Sequence, residues 1–152
     1  MSSTHYTPDA AEVAQAILAI LRLNRSLDCV DAGLTPAQYR IMKLASAGGE
    51  RSTRLAQRLA VAKPTLTALA DGLVAAGFAS RTTEPGDRRV VRLTLTEAGR
   101  AALDRADQAY TAWLAGLLTA TGEPATVLAA LGQLDAALTE TRRARKNEDG
   151  KV

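Results

Sequence analysis

At 152 residues, 47% apolar and only 3% aromatic, the chain has the length for one domain with a core of Leu, Val, Ile and Ala. Its longest strongly apolar run, Ala16 to Leu21, is far too short to span a bilayer, and no basic leader precedes an apolar stretch; a cytoplasmic protein without a membrane partner is expected. The formal charge of +3 is uneven: residues 51–93 hold eight Lys or Arg against three acids, a net +5, and the remainder is −2, a pattern that fits either a polyanion-binding face or a solvated one.

Residues 1–8 are polar and aperiodic, as in a mobile tail. Asp9 can cap a long helix in which Val13, Ile17, Ile20, Leu21 and Leu27 recur at helical spacing, fading around Asp31-Ala32-Gly33. Thr35-Pro36-Ala37-Gln38 is a helix start: Thr35 caps, Pro36 suits the first helical position, and Gln38 closes a capping box. That helix is expected to bury Tyr39, Ile41, Met42 and Leu44 and to stop at Gly48-Gly49. A short third helix follows a Ser52 cap, with Leu55, Ala56 and Leu59 inward and Arg51, Arg54 and Arg58 outward. After a break at Ala60-Val61-Ala62, a fourth runs from Lys63-Pro64 to Ala76, burying Leu66, Leu69, Leu73 and Val74 before Gly77 stops it in the left-handed conformation.

Two short helices with a tight connection make a helix-turn-helix, and the next stretch adds a hairpin. Phe78 to Thr83 is rich in β-branched and aromatic residues; Arg89 to Leu95 alternates, with Val91, Leu93 and Leu95 on one face and Val90, Arg92 and Thr94 on the other. Glu84-Pro85-Gly86-Asp87 between them has type II turn chemistry, Pro fixing φ and Gly supplying a positive one. Such a hairpin is marginal alone and needs the helices beneath it. Thr96 then caps a fifth helix reaching about Leu118, with Leu103, Ala106, Tyr110, Trp113, Leu114 and Leu117 on one broad face. Thr121-Gly122-Glu123-Pro124 turns into a sixth, where Val127, Leu131, Leu134 and Leu138 form a two-heptad seam, and the charged stretch from Arg142 to Val152 is expected to be disordered.

The first, fifth and sixth helices carry apolar stripes longer than a small winged core can cover, so they either pack on each other as a subdomain or bury against a second copy, the latter being the expectation preferred. The expected fold is mainly α with a small β wing. A winged helix-turn-helix domain occupies 34–95, a helical dimerisation region is built from 9–33 and 96–143, and disordered tails lie at 1–8 and 144–152.

The runs Leu55-Ala56-Gln57-Arg58-Leu59, Pro64-Thr65-Leu66-Thr67 and Leu73 to Gly77, with Pro85-Gly86-Asp87-Arg88-Arg89 and Leu93-Thr94-Leu95-Thr96-Glu97-Ala98-Gly99, resemble the MarR family of bacterial transcriptional regulators. The resemblance covers about Thr35 to Leu118. It implies a homodimer binding a pseudo-palindromic double-stranded DNA operator in a sequence-specific way, in the role of a repressor. The fourth helix would enter a major groove and the wing the neighbouring minor groove. It places Arg54, Lys63, Pro64, Thr65, Thr67, Arg88 and Arg89 on the DNA face, with Arg88 at the wing tip and Asp87 pairing with Arg89 to brace it. Arg51, Arg54 and Arg58 are then expected to position the DNA backbone or to be solvated, and not to read bases. For Thr65 and Thr67 the alternative is a bond to their own helix end, and for Lys63 simple solvation.

The same resemblance implies a small anionic aromatic effector, with Arg22, Tyr39, Met42, Tyr110 and Trp113 as candidate lining; for each apolar one a core role is the alternative. The chain departs from the family pattern in three places. Ala62 stands where a Ser commonly caps, Ala68 where an Arg often reads a base, and Gly72 weakens the helix by about 1 kcal/mol relative to Ala. Major-groove readout is therefore expected to be thin.

No enzyme is expected. His5, the only histidine, lies in the tail, no Gly-rich phosphate loop follows a strand, and no His/Cys cluster has zinc spacing; no catalytic residue, metal or cofactor is assigned. Two rival readings stand beside the regulator: a winged-helix protein-interaction module, and a thiol-based redox sensor using Cys29. That single cysteine excludes an internal disulfide and lies near the end of the first helix, whereas peroxide-sensing relatives place theirs near its start.

Overall fold

The computed structural model describes the backbone of residues 6–47, 52–59, 61–84 and 87–149, and the side chains of all of these but 52–53, 84, 87–91 and 146–149. In chain order the elements are α1 (Ala10–Asp28), α2 (Pro36–Ser46), α3 (Ser52–Leu59), α4 (Lys63–Ala75), β1 (Ala79–Glu84), β2 (Asp87–Leu95), α5 (Glu97–Ala120) and α6 (Pro124–Asp149). The chain divides into two compact units, Met1–Tyr110 and Thr111–Val152.

In the first unit α1 opens with a full capping box: Asp9 accepts from the Glu12 amide at 2.8 Å, and Glu12 accepts from the Asp9 amide at 2.9 Å. The helix ends at Asp28, before the expected fade at residues 31–33. Ala32 and Leu34 are buried in the core, and Gly33 between them sits at φ 70°, so the chain leaves the helix early to bring both inward. The Thr35–Gln38 capping box of α2 forms as read, with bonds of 3.0 and 3.2 Å, and α2 buries Ile41, Met42 and Ala45 while Tyr39 and Leu44 are half-buried. In α3 Leu55 and Leu59 face inward and Ser52 is already helical; the Gly48-Gly49 stop and Arg51 lie outside the described residues.

Along α4 the buried positions are Leu66, Ala70 and Leu73, the i, i+4, i+7 stripe of a single face. Val74, expected inside, is exposed because it stands one residue past that stripe. Gly77 at φ 74° ends the helix as expected, and Phe78 forms the corner into the hairpin, donating its amide to the Leu73 carbonyl at 2.9 Å. The antiparallel strands pair Ala79 with Leu95 and Arg81 with Leu93, and the buried Ala79, Leu93 and Leu95 seat the hairpin base on the helices. The register jumps between Thr83↔Val91 and Glu84↔Asp87, leaving the segment 88–90 as extra length on β2, as in a bulge. Pro85 and Gly86, and with them the expected type II turn, lie outside the described residues.

At the hairpin's foot four chain segments meet. The Thr96 hydroxyl donates to the Gly77 carbonyl at 2.6 Å and accepts the Gly99 amide at 3.0 Å, while the Thr96 amide donates to the Phe78 carbonyl at 3.1 Å. Arg100 adds a bond from Nη1 to the Leu95 carbonyl at 3.0 Å. Gly99 packs so tightly there that a Cβ on it would lie 1.8 Å from the Phe78 oxygen. Beyond it α5 buries Ala102, Leu103, Ala106 and Tyr110.

The second unit holds the end of α5 and all of α6, joined through Gly122 at φ 75° with Pro124 first in α6. Trp113 and Leu114 are half-buried, and Leu117, Leu128, Leu131, Leu134 and Leu138 are exposed. Helix α6 continues to Asp149, so the stretch from Arg142 is helical where disorder was expected; its Arg, Lys and Glu are good helix formers. Among the described residues no single helix is long and apolar enough to cross a membrane.

Gly99→Ala is expected to destabilise the fold by about 2–4 kcal/mol, because a backbone oxygen cannot yield to the new methyl group. Gly116→Ala, on a stretch of α5 where a Cβ meets nothing within 4 Å, should instead stabilise by about 0.5–1 kcal/mol. Urea denaturation midpoints measured on both variants test this opposition of sign.

Candidate nucleic-acid interface

The outer surface of α3 and α4 is built by the same periodicity that fills the core. With Leu55 and Leu59 inward, Arg54 and Arg58 are exposed; with Leu66, Ala70 and Leu73 inward, Lys63, Pro64, Thr65, Thr67, Ala68 and Gly72 lie outside. Ala62 occupies the N-cap of α4 and makes no side-chain bond, so the first-turn amides there are not covered by a cap. A helix start of this kind beside a lysine is complementary to an anion. Thr67, however, donates its hydroxyl back to the Lys63 carbonyl at 3.0 Å, which leaves it as an acceptor toward the outside.

Arg81, one of the eight basic residues of the middle stretch, is turned onto Asp71 of α4, with Nη1 and Oδ1 2.5 Å apart. That pair was not legible from composition, and it changes where the positive charge is available. At the far end of the hairpin the side chains of Asp87, Arg88 and Arg89 lie outside the described residues, and so does their expected bracing pair. Their backbone belongs to β2, with residues 88–90 in the segment where the register jumps.

The candidate effector-lining residues are distributed as follows. Met42 is fully buried in the core of the first unit, and Tyr110 is buried with its hydroxyl donating to the Leu34 carbonyl at 2.8 Å. Tyr39 is half-buried, its ring 4.9 Å from that of Tyr110 and its hydroxyl donating to Asp107 Oδ1 at 2.6 Å. Arg22 is exposed on α1, and Trp113 is half-buried in the second unit. The other Asp107 oxygen accepts from Lys43 Nζ at 2.6 Å. Burial and the Asp107 carboxylate push the Tyr39 phenol up to about 12. Desolvation pulls the Asp107 carboxyl upward, but the bonds from Lys43 and Tyr39 outweigh it and hold it below its ordinary value. Lys43 and Asp107 were not singled out from the sequence: they stand 64 residues apart, and no local pattern joins them.

Cys29 is a free, exposed thiol at the C-cap of α1. No group of three or more His, Cys, Asp or Glu among the described residues could hold a metal ion.

Residues 34–91 match the model of the MarR family. Over 76 residues it is 36% identical to YetL of Bacillus subtilis (strain 168), an HTH-type transcriptional repressor; the match covers 48% of this chain and 46% of that one, so the chain spans about half the length of this curated relative. The transcriptional regulator BldR of Sulfolobus solfataricus has the same fold, with a TM-score of 0.73 at 23% identity over 88% of this chain and 99% of that one. A mutant of MarR from E. coli complexed with operator DNA matches with a TM-score of 0.70 at 25% identity, over 83% of this chain and 92% of that one. The family and these structural neighbours are transcriptional regulators, not enzymes.

For a phenol whose folded pKa lies above its unfolded value near 10, the neutral form's contribution to stability is whole below pH ~10 and is lost as pH rises through the folded value. An ultraviolet tyrosinate titration should therefore show one phenol, absent in Tyr39→Phe, ionising near pH 12. Asp107→Asn should move that midpoint down toward the ordinary tyrosine range. A midpoint unmoved by Asp107→Asn would assign the shift to burial alone.

Proposed function

We propose that the chain is a cytoplasmic, homodimeric repressor of the MarR type that binds a pseudo-palindromic operator. The observation that carries the reading is a winged helix-turn-helix whose second helix keeps Lys63, Pro64, Thr65, Thr67 and Ala68 on the surface, with Arg54 exposed on the helix before it. In this reading α4 lies in the major groove, and Lys63 with the uncapped helix start holds a phosphate. Arg54 positions the DNA backbone. Arg88 enters the minor groove, where narrow A·T tracts concentrate negative potential, and Asp87 with Arg89 braces the wing behind it.

A two-fold dimer on such an operator spaces its half-sites about one helical turn, roughly 34 Å, apart. The exposed apolar side chains of α1 and of α6 support a second copy as their cover. Release by a small aromatic anion is the regulation proposed, with Arg22 as the exposed cation among the candidate contacts.

Arg88→Ala should weaken binding to a fragment of the chain's own promoter and lower the log–log salt slope by about one unit, with the fold intact. Retained affinity and slope would remove the wing from the DNA face. A flat salt response of the wild type would point to a protein partner instead. Leu134→Glu or Leu138→Glu should dissociate the dimer in sedimentation velocity, because each puts a charge in the α6 seam; an undisturbed dimer would place its interface elsewhere.

A further inference from the structure

We propose that the Asp71–Arg81 ion pair is a positioning element that fixes the angle of the wing against α4; the inference rests on the DNA-binding reading above. Helix α4 and strand β1 are joined only by Ala76, Gly77 and Phe78, with Gly77 in the left-handed conformation that reverses the chain. The buried rung Ala79–Leu95 anchors the hairpin at its foot. Two residues further out, Arg81 stands opposite the buried Leu93 and reaches back to Asp71 on the helix, so the hairpin is held at a second point along its length. The buried Leu93 already seats that rung on the core by non-directional packing, and the pair adds a directional tie between strand and helix.

The lever is long enough to matter. From Arg81 to Glu84 the strand advances about 10 Å, so a tilt of about 10° at the pair displaces its far end by about 2 Å. That displacement is enough to break a hydrogen bond. A planar guanidinium in a charge-assisted bond holds a direction better than a point charge does. With side chains 38% and 56% exposed, the pair contributes little to folding, so its effect belongs in geometry.

Asp71 also lies on the outer side of α4, where simple electrostatics makes a carboxylate unfavourable to a phosphate backbone. Electrostatics and positioning therefore predict opposite signs for its removal. Asp71→Asn should weaken operator binding about fivefold, the scale that one exposed ion pair sustains, with the salt slope unchanged. The exchanged pair Asp71→Arg/Arg81→Asp should recover most of the loss. Binding by Asp71→Asn as tight as wild type or tighter overturns the proposal. So does an Arg81→Gln variant that loses about one unit of salt slope and is not rescued by the exchange, since Arg81 would then be a phosphate contact.

A second readout needs no DNA. Amide residual dipolar couplings of Ser80–Thr83 should fit one alignment frame with those of α4 in the wild type and shrink in Asp71→Asn, while Thr96 keeps its bonds at the foot. Couplings unchanged by the substitution overturn the positioning role even in a chain that binds no operator. Shrunken couplings in a chain without operator binding would overturn the DNA reading alone.

Discussion

The carbonyl of Phe78 is the point on which the winged unit depends. It accepts the Thr96 amide, and α5 begins so close to it that position 99 has no room for a methyl group. The same threonine closes the first turn of α5 and bonds the carbonyl of Gly77, the residue that stops α4. One hydroxyl thus serves a helix end and a helix start at once. These bonds tie the segments to one another, so none of them can move without breaking the others' bonds. The end of α4, the foot of the hairpin and the start of α5 consequently behave as one body. What remains adjustable is the part of the wing beyond that foot.

A different economy governs the outer helices. Helix α1 keeps Val13, Ile17, Leu18, Ile20, Leu21 and Leu23 exposed, and α6 keeps Leu128, Leu131, Leu134 and Leu138 exposed. Burying one such side chain is worth about 1.5–3 kcal/mol, so the set left in water forgoes on the order of 15 kcal/mol. That is comparable with the entire stability of an ordinary domain. A 19-residue helix with none of its residues buried is also marginal on its own in water. Periodic apolar faces of this size call for a partner, and under the proposed function a second copy of the chain is that partner.

Local chemistry made most of the winged unit legible. The Thr35–Gln38 box, the Thr96 cap and the Gly77 stop each depend on residues within a few positions, and each stands where the residues put it. Elements set by distant partners were the ones misjudged. Helix α1 stops early because Ala32 and Leu34 are drawn into a core made by later segments, and Val74 is exposed because it stands one residue past the stripe of Leu66, Ala70 and Leu73. The Tyr39–Asp107–Lys43 cluster and the Asp71–Arg81 pair join side chains on separate elements, and periodicity carries no information about either. Of the candidate DNA contacts, exposure could be read for those on α3 and α4, since a helix face follows from spacing alone. The wing tip could be read only as chemistry.

These pairings bear on what α4 can recognise. Its outer side offers Lys63, Thr65, Thr67, Ala68, Asp71 and Gly72, and two of these have no polar side-chain atom. Thr67 has committed its proton to the Lys63 carbonyl, and Asp71 is held by Arg81. Bidentate reading of guanine or adenine needs an Arg, Lys, Asn or Gln in the groove, and only Lys63, at the very start of the helix, belongs to that set. A lysine at a helix start is better suited to a phosphate than to a base. Under the proposed function, sequence preference must then come largely from contacts outside α4 and from the deformability of the operator. The relative angle of helix and wing becomes the quantity that selects DNA, since only duplexes whose grooves match that angle can engage both elements together.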